Sequence, residues 1–133
     1  MTTLYEHYEE LTRQEKAYLS SNPHHAMILK DSRELAFAET IRIFRRNRQN
    51  DKSDAFRHCF WSAILARDLG FHNATRFTTA HESSPKNRLE EKRMDLHNNR
   101  IGLGIGLLTG TNASLSARCM TALRTGKLRV LSE

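Results

Sequence analysis

Apolar positions recur along this chain at helical spacing, and polar or glycine-bearing breaks divide them into segments. Thr12 with Glu15 has capping-box spacing, and Asn22 before Pro23 offers a cap followed by proline at the first helical position. These signals predict short helices over about 12–20 and 22–30. Asp31 opens a longer one to about Arg46, with Leu35, Ala38, Ile41 and Ile43 as its apolar positions. Asn47 to Ser53 is polar and reads as a loop. Ser53 then caps a helix to Leu69, and Gly70 suits a left-handed end. Asn73 opens a helix to about His81, the segment 83–87 is a break, and Asn87 with Glu90 starts a helix to about Ile101. The next segment, GLGIGLLTG, is a poor helix, because each glycine costs roughly 1 kcal/mol against alanine. Its glycines would let two backbones approach closely. Asn112 caps a last helix ending at Gly126, and the tail KLRVLSE reads as a frayed end or one strand. Nothing else alternates with a period of two, and no repeat or linker interrupts the 133 residues. The pattern predicts one all-α domain over 1–133, a compact orthogonal array of six or seven short helices.

Charge narrows the partners. Lys and Arg number 21 against 15 Asp and Glu, a formal net charge of +6. Such a balance favours anionic partners: nucleic acid, phospholipid headgroups or a bacterial cell wall. Two cysteines, Cys59 and Cys119, are too few for a disulfide scaffold, and Cys59 reads as a small buried thiol. No apolar run approaches the roughly 18 residues of a membrane span. The N-terminal stretch is acidic and polar, unlike a signal peptide. The expectation is synthesis in the cytoplasm and, for action outside, export by a machine that needs no such signal.

Three clusters carry candidate chemistry. On the 53–69 helix, Asp54, His58, Trp61 and Leu65 oppose Phe56, Phe60, Ala63 and Ile64. A helix apolar on both sides lies centrally, so Asp54, Arg57 and His58 are carried inward, where they need partners. The pair His81 and Glu82 sits at a helix end, where both side chains can turn to one site. Glu91, Asp95, Asn98 and Asn99 form a polar stripe at helical spacing, opposite Leu89, Lys92, Arg93 and Arg100. His58, His81, Glu82, Asp95 and His97 are ligand types for a divalent metal, but their spacing matches no zinc signature. Each cluster also has a plainer reading, a buried network or a solvated face.

Together the strings NDKSDAFRHCFWSAILARDLG, TTAHESSPKN and EEKRMDLHNNRIG resemble a bacterial toxin or effector domain family of unassigned activity. Its pattern is D-A-x-R-H-x-x-W, then A-H-E, then M-D-L-H-N-N-x-x-G, and its members occur alone and at the C-termini of Rhs and other polymorphic toxins. The upstream LTRQEKAYLSSNPHHA also resembles that family's leader. Asp54, Arg57, His58, Trp61, His81, Glu82, Asn87, Met94, Asp95, His97, Asn98, Asn99 and Gly102 match the pattern, and Cys59 departs from an expected alanine. The resemblance implies an antibacterial effector delivered into a rival cell by a contact-dependent, type VI-like machine, with a cognate immunity protein as partner. Joined to the residue chemistry, it implies a hydrolase acting on an envelope component, peptidoglycan or lipid. His58, His81, Glu82 and Asp95 would be catalytic, or hold a divalent metal. Asp54, Arg57, Trp61, Asn98 and Asn99 would bind the substrate. Two other readings stand beside it: a nuclease toxin, and a non-enzymatic nucleic-acid-binding or adaptor module contacting phosphate through Arg42, Arg45, Arg46 and Arg48.

Overall fold

Four helices of this chain start at short polar caps, Thr3, Thr12, Asp51 and Thr111; the sequence placed Thr12, and its expected caps Ser53 and Asn112 lie within two residues of Asp51 and Thr111. The structure is a computed structural model, and it describes residues 3–85 and 88–132. Helix α1 (Leu4–Glu10), in a segment too polar to predict one, begins at a full capping box of Thr3 with Glu6. The expected box of Thr12 and Glu15 opens α2 (Arg13–Ser21). A single tight turn, Pro23–His25, leads directly into α3 (Ala26–Phe44), so the two helices predicted over 22–30 and 31–46 are one. Asp31, the expected start of the second helix, lies exposed within α3, and Ser32 beside it donates back to the Leu29 carbonyl. Arg45, at φ 58°, ends α3 in the left-handed region. Helix α4 (Lys52–Leu69) is capped by Asp51 rather than Ser53, and α5 (Phe71–His81) follows after Gly70 alone. Asn87, the expected cap of α6 (Leu89–Gly106), lies outside the described residues. Thr111, not Asn112, caps α7 (Asn112–Arg124). The fold is all-α, with no strand among the described residues.

Helix α4 is the axis of the molecule and packs on α3, α5, α6 and α7. Every residue from Ser53 to Ala66 except Arg57 is buried. Around it lie Phe77, Met94, Leu115 and Leu29, all nearly without exposure. Full burial of one such side chain contributes about 1.5–3 kcal/mol.

Helix α6 runs five residues past its predicted end, through the glycine segment, and tertiary packing explains why. A Cβ on Gly102 would stand 2.1 Å from the Cys59 carbonyl oxygen, and one on Gly106 2.4 Å from that of Ala63. Only glycine lets α6 lie this close to α4, and the packing offsets the weak helix propensity. The tail is neither frayed nor a strand. Leu128 is buried, the Asn50 carbonyl accepts from the N–H groups of Leu131 and Ser132, and Asn98 pairs with the Arg129 backbone. Among the described residues, no helix is long and apolar enough to cross a membrane.

Candidate active site in an acidic cleft

The first turns of α4 carry Asp54, Arg57, His58 and Trp61 toward one end of the molecule. The C-terminus of α5 brings His81 and Glu82 to the same place, and the first half of α6 brings Asp95 and Asn99. These groups line a cleft of about 1160 Å³ whose outer part is formed by α1 and α3. His58, at the centre, places Nδ1 3.0 Å from Asp54 Oδ1. Its Nε2 lies 3.5 Å from Glu82 Oε2 and 3.7 Å from Asp95 Oδ1. The His81 ring stands 6.3 Å from the His58 ring and 4.9 Å from Trp61. His81 Nδ1 is held 2.9 Å from Glu15 Oε2.

Supporting contacts fix most of these side chains. Asp54 Oδ1 also pairs with Arg57, and Oδ2 accepts from the Asn50 backbone N–H at 2.7 Å. Arg57 is further bonded to Asn47. Asn99 donates to Glu82 Oε2 at 3.0 Å and accepts from Ser62. Of the buried polar atoms without a hydrogen-bond partner among the described residues, two belong to this cleft: Asp95 Oδ1 and Trp61 Nε1.

The charges of the cluster hold one another in place. Burial pushes the His58 imidazolium toward neutrality, but Asp54, Glu82 and Asp95 outweigh it and raise its pKa well above the ordinary value. Burial raises the Glu82 carboxyl, yet His58, His81 and Asn99 bring it below the ordinary value. Asp95 goes the other way: burial and the neighbouring Glu82 and Asp54 charges, against the pull of His58, lift it to about 7. Two adjacent carboxyls held in opposite protonation states can divide acid and base roles.

Of the residues singled out in the sequence, Asp54, Arg57, His58, Trp61, His81, Glu82 and Asp95 all line the cleft. Asn99 supports it through Glu82. Asn98 does not face a ligand as expected: both ends of its amide are taken by the Arg129 backbone, at 2.9 and 2.8 Å. His97 is likewise turned away, to the Lys127 carbonyl. Glu15 was read only as a helix cap. One of its oxygens does cap Thr12, while the other reaches His81 across 66 positions, a contact no local pattern signals. The arginines of 42–48 do not form one free basic face, because Arg42 pairs with Glu39 and Arg46 with Asp51.

Residues 16–127 match the model of a family described only as a domain of unknown function (DUF6973). The chain belongs to this family. The DUF6973 match spans α3 to α7, all but the first residues of α2, and the cleft residues that α4, α5 and α6 supply, though not Glu15. Neither a curated protein nor a solved structure matches the chain. The family description carries no activity, so the chemistry of the DUF6973 cleft rests on its own residues.

Proposed function

We propose that this protein is a hydrolase of the bacterial envelope, delivered as an antibacterial effector and restrained in its producer by an immunity protein. The observation that carries the hydrolase reading is the convergence of His58, Glu82 and Asp95 on the cleft floor, beside two buried polar atoms without partners. An unpartnered buried polar group costs about 1–3 kcal/mol, and such a cost is met where a bound substrate or water supplies the missing bond. His58 and the two carboxyls are within reach of one water and can move its protons. Arg57 and Trp61 flank the place where a substrate would lie.

Charge favours an envelope substrate over a nucleic acid. The cleft is lined by eight carboxyl groups and three Lys or Arg side chains, a formal excess of five negative charges that a charged His58 and a partly protonated Asp95 reduce but do not cancel, in a chain of net charge +6. A bare phosphodiester would be repelled from such a floor. A neutral or amine-bearing substrate such as glycan or cell-wall peptide would not. The basic charge lies outside the cleft, where it suits retention on an anionic wall.

The test uses Glu82→Gln. Gln can accept from Asn99 and donate toward the unpartnered Asp95 oxygen, so the melting temperature should stay near that of the wild type. Loss of an acid–base group costs about 10²–10⁴-fold in rate. Purified wild type should release fragments from peptidoglycan sacculi or lipid vesicles, and the variant should not. Expression directed to the periplasm should kill, and cytoplasmic expression should not. Killing only from the cytoplasm, with nucleic acid degraded, would replace this reading by the nuclease one.

A further inference from the structure

Both cleft histidines are held in the same way. Asp54 fixes Nδ1 of His58, and Glu15 fixes Nδ1 of His81. Asp54 and Glu15 are themselves buried, and their other oxygens are spoken for by the backbone N–H groups of Asn50 and Thr12. Each histidine is therefore left with Nε2 for the cleft. A carboxylate on the far nitrogen is the arrangement that orients metal-binding histidines and raises their basicity.

The distances on the near side point the same way. His58 Nε2 stands 3.5 and 3.7 Å from Glu82 Oε2 and Asp95 Oδ1. Charge-assisted hydrogen bonds close to about 2.7–2.9 Å, so these ion pairs are longer than direct hydrogen bonds of that strength. Ligand atoms about 2.0–2.2 Å from a tetrahedral cation are roughly 3.3–3.6 Å apart. His58, His81 and Glu82 each offer a ligand atom within 4.8 Å of the others. Asp95 is buried, and its Oδ1 has no hydrogen-bond partner among the described residues. Asp54, His58 and Asp95 also fall within 4.8 Å of one another, but the oxygens of Asp54 are already committed to His58, Arg57 and Asn50.

We infer that His58, His81, Glu82 and Asp95 form a binding site for one divalent first-row transition cation, with zinc the best match. Two imidazole nitrogens disfavour magnesium and calcium, which take oxygen ligands. A cation in this place would satisfy the Asp95 oxygen and offset part of the cleft's negative charge. Bound water on zinc-class cations ionises near neutral pH, which supplies a nucleophile for hydrolysis. The site lies in the proposed hydrolase cleft, but its test reads binding, so either reading can fail alone.

The experiment titrates the chelator-treated full chain with Zn²⁺ in competition with a chromophoric chelator, and with Co²⁺ by visible absorption. One equivalent of Zn²⁺ should bind, with a rise in melting temperature. The Co²⁺ spectrum should be that of nitrogen and oxygen ligands, without the thiolate band that binding to Cys59 and Cys119 would give. His81→Gln and Asp95→Asn should each weaken binding by at least 10-fold. Glu15→Gln, which removes no ligand, should weaken it by about 10–100-fold. Glu91→Gln removes a carboxylate of the same cleft outside the ligand set and should leave affinity unchanged. No stoichiometric uptake of Zn²⁺ or Co²⁺ by the wild type overturns the inference. So does equal loss in Glu91→Gln and Asp95→Asn, which would mean diffuse attraction to an acidic cleft. Circular dichroism of each variant identifies any that fails to fold, and the remaining variants decide. A wild type that binds no cation yet loses hydrolysis on Glu82→Gln would sink the metal site and leave the hydrolase.

Discussion

Asn98 and Asn99 are neighbours of the same chemistry, both buried on α6, and they serve different ends. Asn98 faces the C-terminal tail and imitates a backbone partner for Arg129, donating to its carbonyl and accepting from its N–H. Asn98→Ala should cost about 1–3 kcal/mol, measured as a lower urea midpoint, because it strands both backbone groups. Its effect on catalysis should follow only the amount of folded protein. Asn99→Ala leaves the tail docked and frees Glu82, so activity should fall more than stability. Another residue-level consequence concerns His25, where the Tyr18 hydroxyl lies 2.8 Å from Nδ1. Burial, with His24 alongside, lowers the His25 pKa. The neutral ring accepts the Tyr18 hydrogen bond, and the imidazolium cannot. A depressed folded pKa means that the contribution is present above the unfolded value of about 6.5 and is lost as pH falls through the folded value. As pH is lowered from 7.5 to 5, the urea midpoint of the wild type should therefore fall relative to that of His25→Gln, which keeps an acceptor for Tyr18 and does not titrate; the raised pKa values of His58 and Asp95 act in the opposite sense but are common to both proteins and cancel in the difference. The polar clusters around the site were visible as residue types at helical spacing. What the sequence did not carry was which amide of a pair turns inward, or that the spare oxygen of a helix-capping Glu15 meets His81. Those outcomes depend on how three helices and a tail meet.

At the scale of elements, the α4–α6 contact decides the fold, and its glycines are separable by experiment. Gly102→Ala must push a methyl group into the Cys59 carbonyl, so it should destabilise by several kcal/mol or prevent folding. Gly104 lies on the same helix with open space where its Cβ would be, and Gly104→Ala should stabilise by about 0.5–1 kcal/mol. Opposite shifts in melting temperature from one substitution two residues apart would show that packing, not propensity, selects glycine at 102. Equal effects would mean that the close approach is not maintained in solution. The helical class, the burial of α4 on both faces, the start of α2 and the end of α4 were legible, because they follow from apolar periodicity and from Thr12 and Gly70. The extension of α6 to Gly106 was not, since local propensity reads each glycine as a cost and the offsetting contact lies 43 positions away, at Cys59 and Ala63. The merging of 22–30 with 31–46 was missed for a related reason. Asp31 is a cap former by type, but nothing in the sequence says that the helix entered after Pro23 runs straight through it.

At the scale of the whole molecule, α7 closes the core on the side of α4 away from the cleft, and there the two cysteines meet. Cys59 and Cys119 are both without exposure, with sulfurs 3.0 Å apart. The Cys59 contact and burial both raise the Cys119 thiol, so in a reducing compartment the pair is inert packing. In an oxidising compartment the same proximity has another outcome. With glutathione disulfide as oxidant, the two thiols give up two protons and two electrons, a Cys59–Cys119 bond forms, and two molecules of glutathione are released. Such a bond would close a loop of about 60 residues between α4 and α7, for which the chain-entropy account gives roughly 4 kcal/mol, at the upper end of the typical range of about 2–4 kcal/mol. The melting temperature should rise by about 10 °C, and the free-thiol count should fall from two to zero without dimer formation. Reaction should be slow, because access to the buried sulfurs requires α7 to open. Cys59→Ala should show no oxidant effect. If oxidation leaves both thiols titratable after α7 has been transiently opened in mild denaturant and refolded, the sulfurs do not meet in solution as they do here. If it proceeds as expected, the fold gains stability in an oxidising compartment, which is what the proposed delivery into a periplasm would call for.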